Sequence, residues 1–183
     1  MRYQGLAFVM IIAIAGIAGM LFMEKYPAAF VTAPPSLGGE AEIIWKSDAR
    51  RMAGGVIVYY RQALGGTTTT ISLPEGTERE ALSKSIDTLI RNAIMAHAVD
   101  AAGLRAETDT LLAERMNEYA KQPEFSAAMA MLYGLDTGSF LEFIARPETE
   151  REVLKKEKTM DDAALAKWLD ELETESRIVR FVK

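Results

Sequence analysis

From Glu78 to Ala102, EREALSKSIDTLIRNAIMAHAVDAA, apolar residues keep helical spacing end to end, which limits the chain to folds that can house one long helix. Leu82, Ile86, Leu89, Ile90, Ala93, Ile94, His97 and Ala98 recur at steps of three and four, with Arg79, Lys84, Asp87 and Arg91 on the other side. Thr77 and Glu80 predict a capping box at its start, and Gly103 a left-handed stop at its end. A rod of roughly 37 Å needs partner helices along its stripe.

At 183 residues the chain has a single-domain length. It contains no cysteine, which excludes a disulfide framework and any thiolate metal or redox site. A net charge of −5 and a pI of about 5.1 argue against a nucleic-acid partner, because phosphate neutralisation needs a basic face. No glycine-rich phosphate loop or dinucleotide fingerprint is present. The one histidine, His97, falls inside the apolar stripe and is expected as a packed, hydrogen-bonded helix residue. No metal and no cofactor are therefore expected.

Leu6 to Met23, LAFVMIIAIAGIAGMLFM, carries no charge and as a helix of 18 residues would extend about 27 Å, nearly the thickness of a hydrocarbon core. It reads as an uncleaved membrane-spanning anchor, the runner-up being a cleaved signal peptide. Arg2 precedes the run while Glu24 and Lys25 cancel after it, so residues 1–25 are expected as a cytoplasmic stub and anchor, with the main domain outside. Residues 26–42, with Pro27, Pro34, Pro35, Gly38 and Gly39, read as a linker that keeps the domain off the bilayer.

Residues 43–183 read as one helical domain. Ile43 to Trp45 suits a short strand, and Ser47 a cap for a helix to about Ala63, softened by Gly54-Gly55; a strand through residues 56–60 is the alternative. Gly65-Gly66 and the threonines 67–70 predict a mobile loop. Further helices are expected from near Thr108, over Glu124 to Tyr133 with Gly134 as stop, and from Asp136 with a kink or split at Pro147. The charges of Glu148 to Lys158 suggest a solvated helix, and Thr159 with Asp162 the start of the last one. Arg177 to Val182 alternates like a strand that could pair with Ile43 to Trp45. The fold class is thus mainly α with a small two-stranded pairing of the domain ends.

This order resembles the N-terminal chaperone domain of the SurA and parvulin-type peptidyl-prolyl isomerase family in its membrane-anchored form. The resemblance covers roughly Ile43 to Lys158. It rests on a short strand and helix leading into the long helix with Leu89-Ile90, and on the ending Ala101-Ala102-Gly103-Leu104 before a capped helix from Thr108. Leu132-Tyr133-Gly134-Leu135-Asp136, followed by Phe140 and Pro147, is similar to the family's step into its last chaperone helix. Trp168-Leu169 through Ile178 to Phe181 resembles the closing helix and strand. In full-length members a catalytic domain with active-site histidines follows, and this chain departs from that pattern after Lys158. The resemblance therefore implies a chaperone module without isomerase activity, and it carries over no catalytic residue.

The expected function is a membrane-tethered, extracytoplasmic holdase for unfolded or nascent exported polypeptides, held in an apolar groove. Its candidate lining is Met52, Tyr59, Tyr60, Met116, Met129, Tyr133, Phe140 and Phe143, each of which taken singly also suits the core. Tyr59 and Tyr60 point to different helix faces, so at least one should be exposed. The alternative is a scaffold subunit that docks one folded partner in a cell-envelope complex, and an enzyme is the remote third reading. The long helix, the glycine pair and the threonine loop would permit exchange of elements in a homodimer.

Overall fold

The computed structural model describes residues 26–65 and 73–181. Within them the chain is mainly helical with a three-stranded sheet at one side. The elements in order are β1 (Pro27–Thr32), a short 3₁₀ turn (Pro35–Leu37), β2 (Ala41–Trp45), α1 (Lys46–Gly65), α2 (Thr77–Ala101), α3 (Arg105–Ala120) and α4 (Phe125–Tyr133). They continue with α5 (Thr137–Phe140), a π-helical segment (Leu141–Ala145), α6 (Arg146–Lys158), α7 (Asp162–Glu175) and β3 (Arg177–Arg180).

The stretch expected as a linker supplies the central strand. β1 pairs antiparallel with β2 on one side and with β3 on the other, so the two strands expected to pair with each other lie at opposite edges. The reason lies in where the prolines fall. Pro27 occupies the first strand position, where a missing N–H is tolerated, and Pro34 and Pro35 form the turn rather than the strand. Between them Phe-Val-Thr is good strand sequence. Gly38 and Gly39, both at positive φ, complete the turn, and Ala33 N donates to Glu40 O at 2.8 Å. The stretch from Pro27 to Thr32 is thus part of the folded domain.

The sheet's inner face, with Ala29, Val31 and Ile44, packs on α2, α6 and α7 in one buried cluster. Ile90, Ile94, Leu154, Leu165 and Leu169 are fully buried in it, each worth roughly 1.5–3 kcal/mol of apolar transfer. The long helix runs as its spacing predicts, but it starts differently. Gly76 is the cap in left-handed conformation, and Thr77 Oγ1 donates to Pro74 O at 2.7 Å, so no capping box forms. Its end follows the glycine rule: Gly103 sits at φ 72°, with Leu104 N donating to Val99 O at 3.0 Å and Gly103 N to Asp100 O at 2.9 Å.

Residues 56–60 are helical, within α1. The helix expected from Thr108 begins at Arg105. Gly134, at φ 61°, ends α4, and the Asp136 carboxylate caps α5 by accepting from Ser139 N at 2.6 Å. Before Pro147 the helix does not stop. It widens to i→i+5 bonding over Leu141–Ala145, with Arg146 N donating to Leu141 O. The proline has no N–H to return to the carbonyl four residues back, and a wider turn relieves its ring clash.

α6 is not simply solvated. Glu150 is 2% exposed, and Glu152 and Lys156 reach across to Arg115 and Glu107 on α3. Arg105 holds the junction, donating from Nε and Nη2 to both Asp100 oxygens at 2.7 and 2.6 Å, from Nη1 to Glu150 at 2.9 Å, and from Nη2 to Ala96 O at 3.1 Å. It ties the end of α2 to α6. Asp161, not Thr159, caps α7 by accepting from Ala164 N at 2.8 Å, and Thr159 closes α6 in the left-handed region at φ 53°. Among the described residues no helix is long and apolar enough to cross a membrane; Leu6–Met23 and the threonine loop at residues 67–70 lie outside them.

Candidate polypeptide-binding groove

A cavity of about 380 Å³ opens where α1, α2 and the Tyr133–Ile144 stretch meet. α1 contributes Met52, Val56, Tyr59 and Tyr60, spaced so that all four project to one side of the helix. α2 contributes Lys84, Ser85 and Thr88, and the far wall is Tyr133, Leu135, Phe143 and Ile144. Tyr59 and Tyr60 are each about half exposed and both line the cavity: adjacent helix positions lie about 100° apart, so a broad groove takes both. The Tyr59 ring stacks on Tyr133 at 5.7 Å and 6°, and meets Tyr60 edge-on at 6.3 Å. Such contacts hold the rim rings in place at low entropic cost.

A glycine makes the wall possible. A Cβ on Gly55 would stand 2.8 Å from Tyr133 O and 3.2 Å from Leu135 Cδ2, so only glycine allows α1 to approach the end of α4 this closely. Gly134, in its left-handed turn, lies against Val58 on the same crossing. Gly54 meets nothing. The pair read as a soft spot is half close contact and half open surface.

The lining is nearly all carbon, with few polar groups. Ser85 is 2% exposed and its hydroxyl has no hydrogen-bond partner in the protein, an unmet polar atom at a groove wall. Phe143 separates the groove from a second hollow of about 190 Å³ lined by Trp45, Asp48, Glu142 and Glu150 among others. Arg51 lies 5.7 Å from the Phe143 ring centroid, 3.7 Å from Asp48 and 3.9 Å from Glu142. Burial, then the nearby Asp48, raises the Glu142 carboxyl above its ordinary range.

Five of the eight expected groove residues come together here: Met52, Tyr59, Tyr60, Tyr133 and Phe143. Met116, Met129 and Phe140 do not. They pack with Leu112, Phe125 and Tyr119 in a separate cluster, where the Phe125 and Phe140 rings meet edge-on at 5.4 Å. Val56, Ser85 and Leu135 were not expected. Val56 was findable as the residue four after Met52, whereas Ser85 becomes visible only once α2 is docked. His97 is packed, with an 11% exposed side chain, but not hydrogen-bonded as expected: its nitrogens stand 3.8 Å from Glu40 and 3.6 Å from Glu42, and Nε2 has no partner.

The groove can accept apolar side chains against aromatic walls. No family model, curated protein or solved structure matches the chain.

Proposed function

We propose that the chain is a membrane-tethered, extracytoplasmic holdase module that binds unfolded or nascent exported polypeptides without isomerising them. The observation that carries this reading is the groove itself, where three tyrosines stand at an open apolar cleft that also contains an unpaired buried hydroxyl. The half-exposed rings offer area to many apolar sequences rather than a shape to one. The apolar run Leu6–Met23 supports the tether, and the resemblance to SurA-type chaperone domains supports the client class.

The test places the full-length chain in lipid nanodiscs and follows light scattering from two unrelated, chemically unfolded proteins. Suppression of aggregation is expected for both. The double substitution Tyr59→Ser, Tyr60→Ser should weaken it by about tenfold while leaving the circular dichroism unchanged, since rim aromatics of this kind are worth on the order of 1 kcal/mol each or more. Suppression that survives the double substitution unchanged would remove the groove from the mechanism. A folded chain that suppresses neither client, yet captures one stoichiometric protein, would replace the holdase by a docking subunit.

A further inference from the structure

An antiparallel sheet with one face on a core ordinarily turns polar side chains outward, and this one does not. Register sets Ile43, Phe30 and Val179 side by side across β2, β1 and β3. Alternation places Trp45 and Phe181 on the same outer face, with Ile43 and Trp45, on the edge strand, also bordering the hollow beside Glu142. Ile43 is 41% exposed, Trp45 40%, Val179 39% and Phe181 59%, with Tyr26 beside them at 57%. Two of the three charged residues of the strands turn inward instead. Glu42 faces His97, and Arg180 bonds Asp87 on α2 at 2.8 Å, which leaves Arg177 beside Thr32 at one end of the apolar rows. A contiguous apolar face of this kind marks a surface that is covered in use.

The chain indicates what covers it. Met23, the last residue of the apolar run, precedes Pro27 by four residues, and Pro27 is already in the ladder. Four Cα steps reach at most roughly 14 Å. A bilayer's headgroup layer is about 5–8 Å deep on each side, so a sheet that begins this close to a spanning segment lies at the lipid surface or just above it. Tryptophan and tyrosine favour that layer, where the ring is apolar and the polar edge stays wet.

We infer that the outer face of the sheet, through Phe30, Ile43, Trp45, Val179 and Phe181, seats on the interfacial layer of the bilayer that Leu6–Met23 enters. This rests on reading Leu6–Met23 as an anchor. It makes the domain a body lying on the membrane rather than one held off it by a linker.

The test uses the full-length chain with Trp168→Phe, so that Trp45 is the only tryptophan, in phosphatidylcholine vesicles with or without bromine near the top of the acyl chains. Alkaline carbonate extraction reports separately whether the chain is anchored. Quenching of Trp45 by about twofold or more is expected from a ring seated in the outermost 5–10 Å, together with loss of that quenching in Val179→Glu. An anchored chain whose Trp45 emits equally in both lipids overturns the proposal. So does emission that is unquenched by bromine but shifts with protein density, which would show a second copy on the face. A chain stripped by carbonate fails the anchor reading itself, and the seating with it. The same comparison on the unsubstituted chain, where Trp168 packs beneath Lys158 at 4.4 Å and gives a constant background, keeps the result independent of how Trp168→Phe folds.

Discussion

Gly54 and Gly55 are neighbours of one type in one helix, yet their surroundings give them opposite roles. At Gly54 a methyl group meets open space, so Gly54→Ala should stabilise by about 0.5–1 kcal/mol through helix propensity alone. Gly55→Ala drives a methyl group into the Tyr133 carbonyl, which is backbone and cannot swing away, and should destabilise by about 1–3 kcal/mol. Urea midpoints of the two variants decide it; shifts of the same sign would mean that the α1–α4 approach is not as close as described. Glu150 is nearly fully buried. Burial raises its carboxyl above the ordinary glutamate range, although Arg105 pulls the other way. A carboxyl raised in the folded state adds stability that is full below the unfolded value and lost as pH rises through the folded one. Glu150→Gln lacks that loss, so its stability relative to the parent should grow as pH rises above about 4.5. A difference that shrinks over that range would make the Arg105 pairing the stronger effect. Sequence alone did not distinguish Glu150 from Glu148 or Glu157. All three stand among lysines and arginines, and only the packing of α6 on α2 and α3 selects which one is buried.

The helices were legible because apolar spacing and stop residues are local. Gly134 and Asp136 act at the positions their chemistry predicts, and the stripe of α2 is buried nearly as written. What stayed hidden depends on distant partners. Thr77 bonds backward to Pro74 instead of capping, and β3 finds β1 rather than β2. β1 was the least legible element, because proline and glycine density is a property of the whole stretch 26–42 while the strand occupies only the six residues from Pro27 to Thr32. Its position makes a direct prediction. A chain that begins at Ala33 lacks the central strand, leaves β2 and β3 with no shared partner, and uncovers Ile44 and the α2 stripe. It should lose its near-ultraviolet circular dichroism and cooperative melting, whereas one that begins at Tyr26 should keep both. Retention of a sharp transition without residues 27–32 would return that stretch to the status of linker.

Across the whole molecule the buried apolar residues are unevenly shared. The sheet, α2, α6 and α7 hold one large cluster, while the region from α3 to α5 rests on two small ones. α4 is the extreme case: it is apolar in composition, yet of its nine residues only Phe125 is buried, and Met131 and Leu132 stand exposed. A helix so lightly held opens at a small fraction of the global unfolding free energy, and the α4 end at Tyr133 forms one wall of the groove. On the proposed reading, the groove wall and the most lightly held helix are one element, which would suit a site for unlike sequences. In hydrogen exchange, amides of α4 should exchange well before those of Ile90 to Val99 in α2. Adding an unfolded client should then slow exchange in α4 and the second half of α1, while Ile90 to Val99, whose amides open only with the whole domain, slow by no more than the same factor. Protection gained instead along β2 and β3 would place the client on the sheet, where the rim tyrosines could not reach it. A client that protects nothing beyond the resting chain would leave the exposed side of α4 to a different partner.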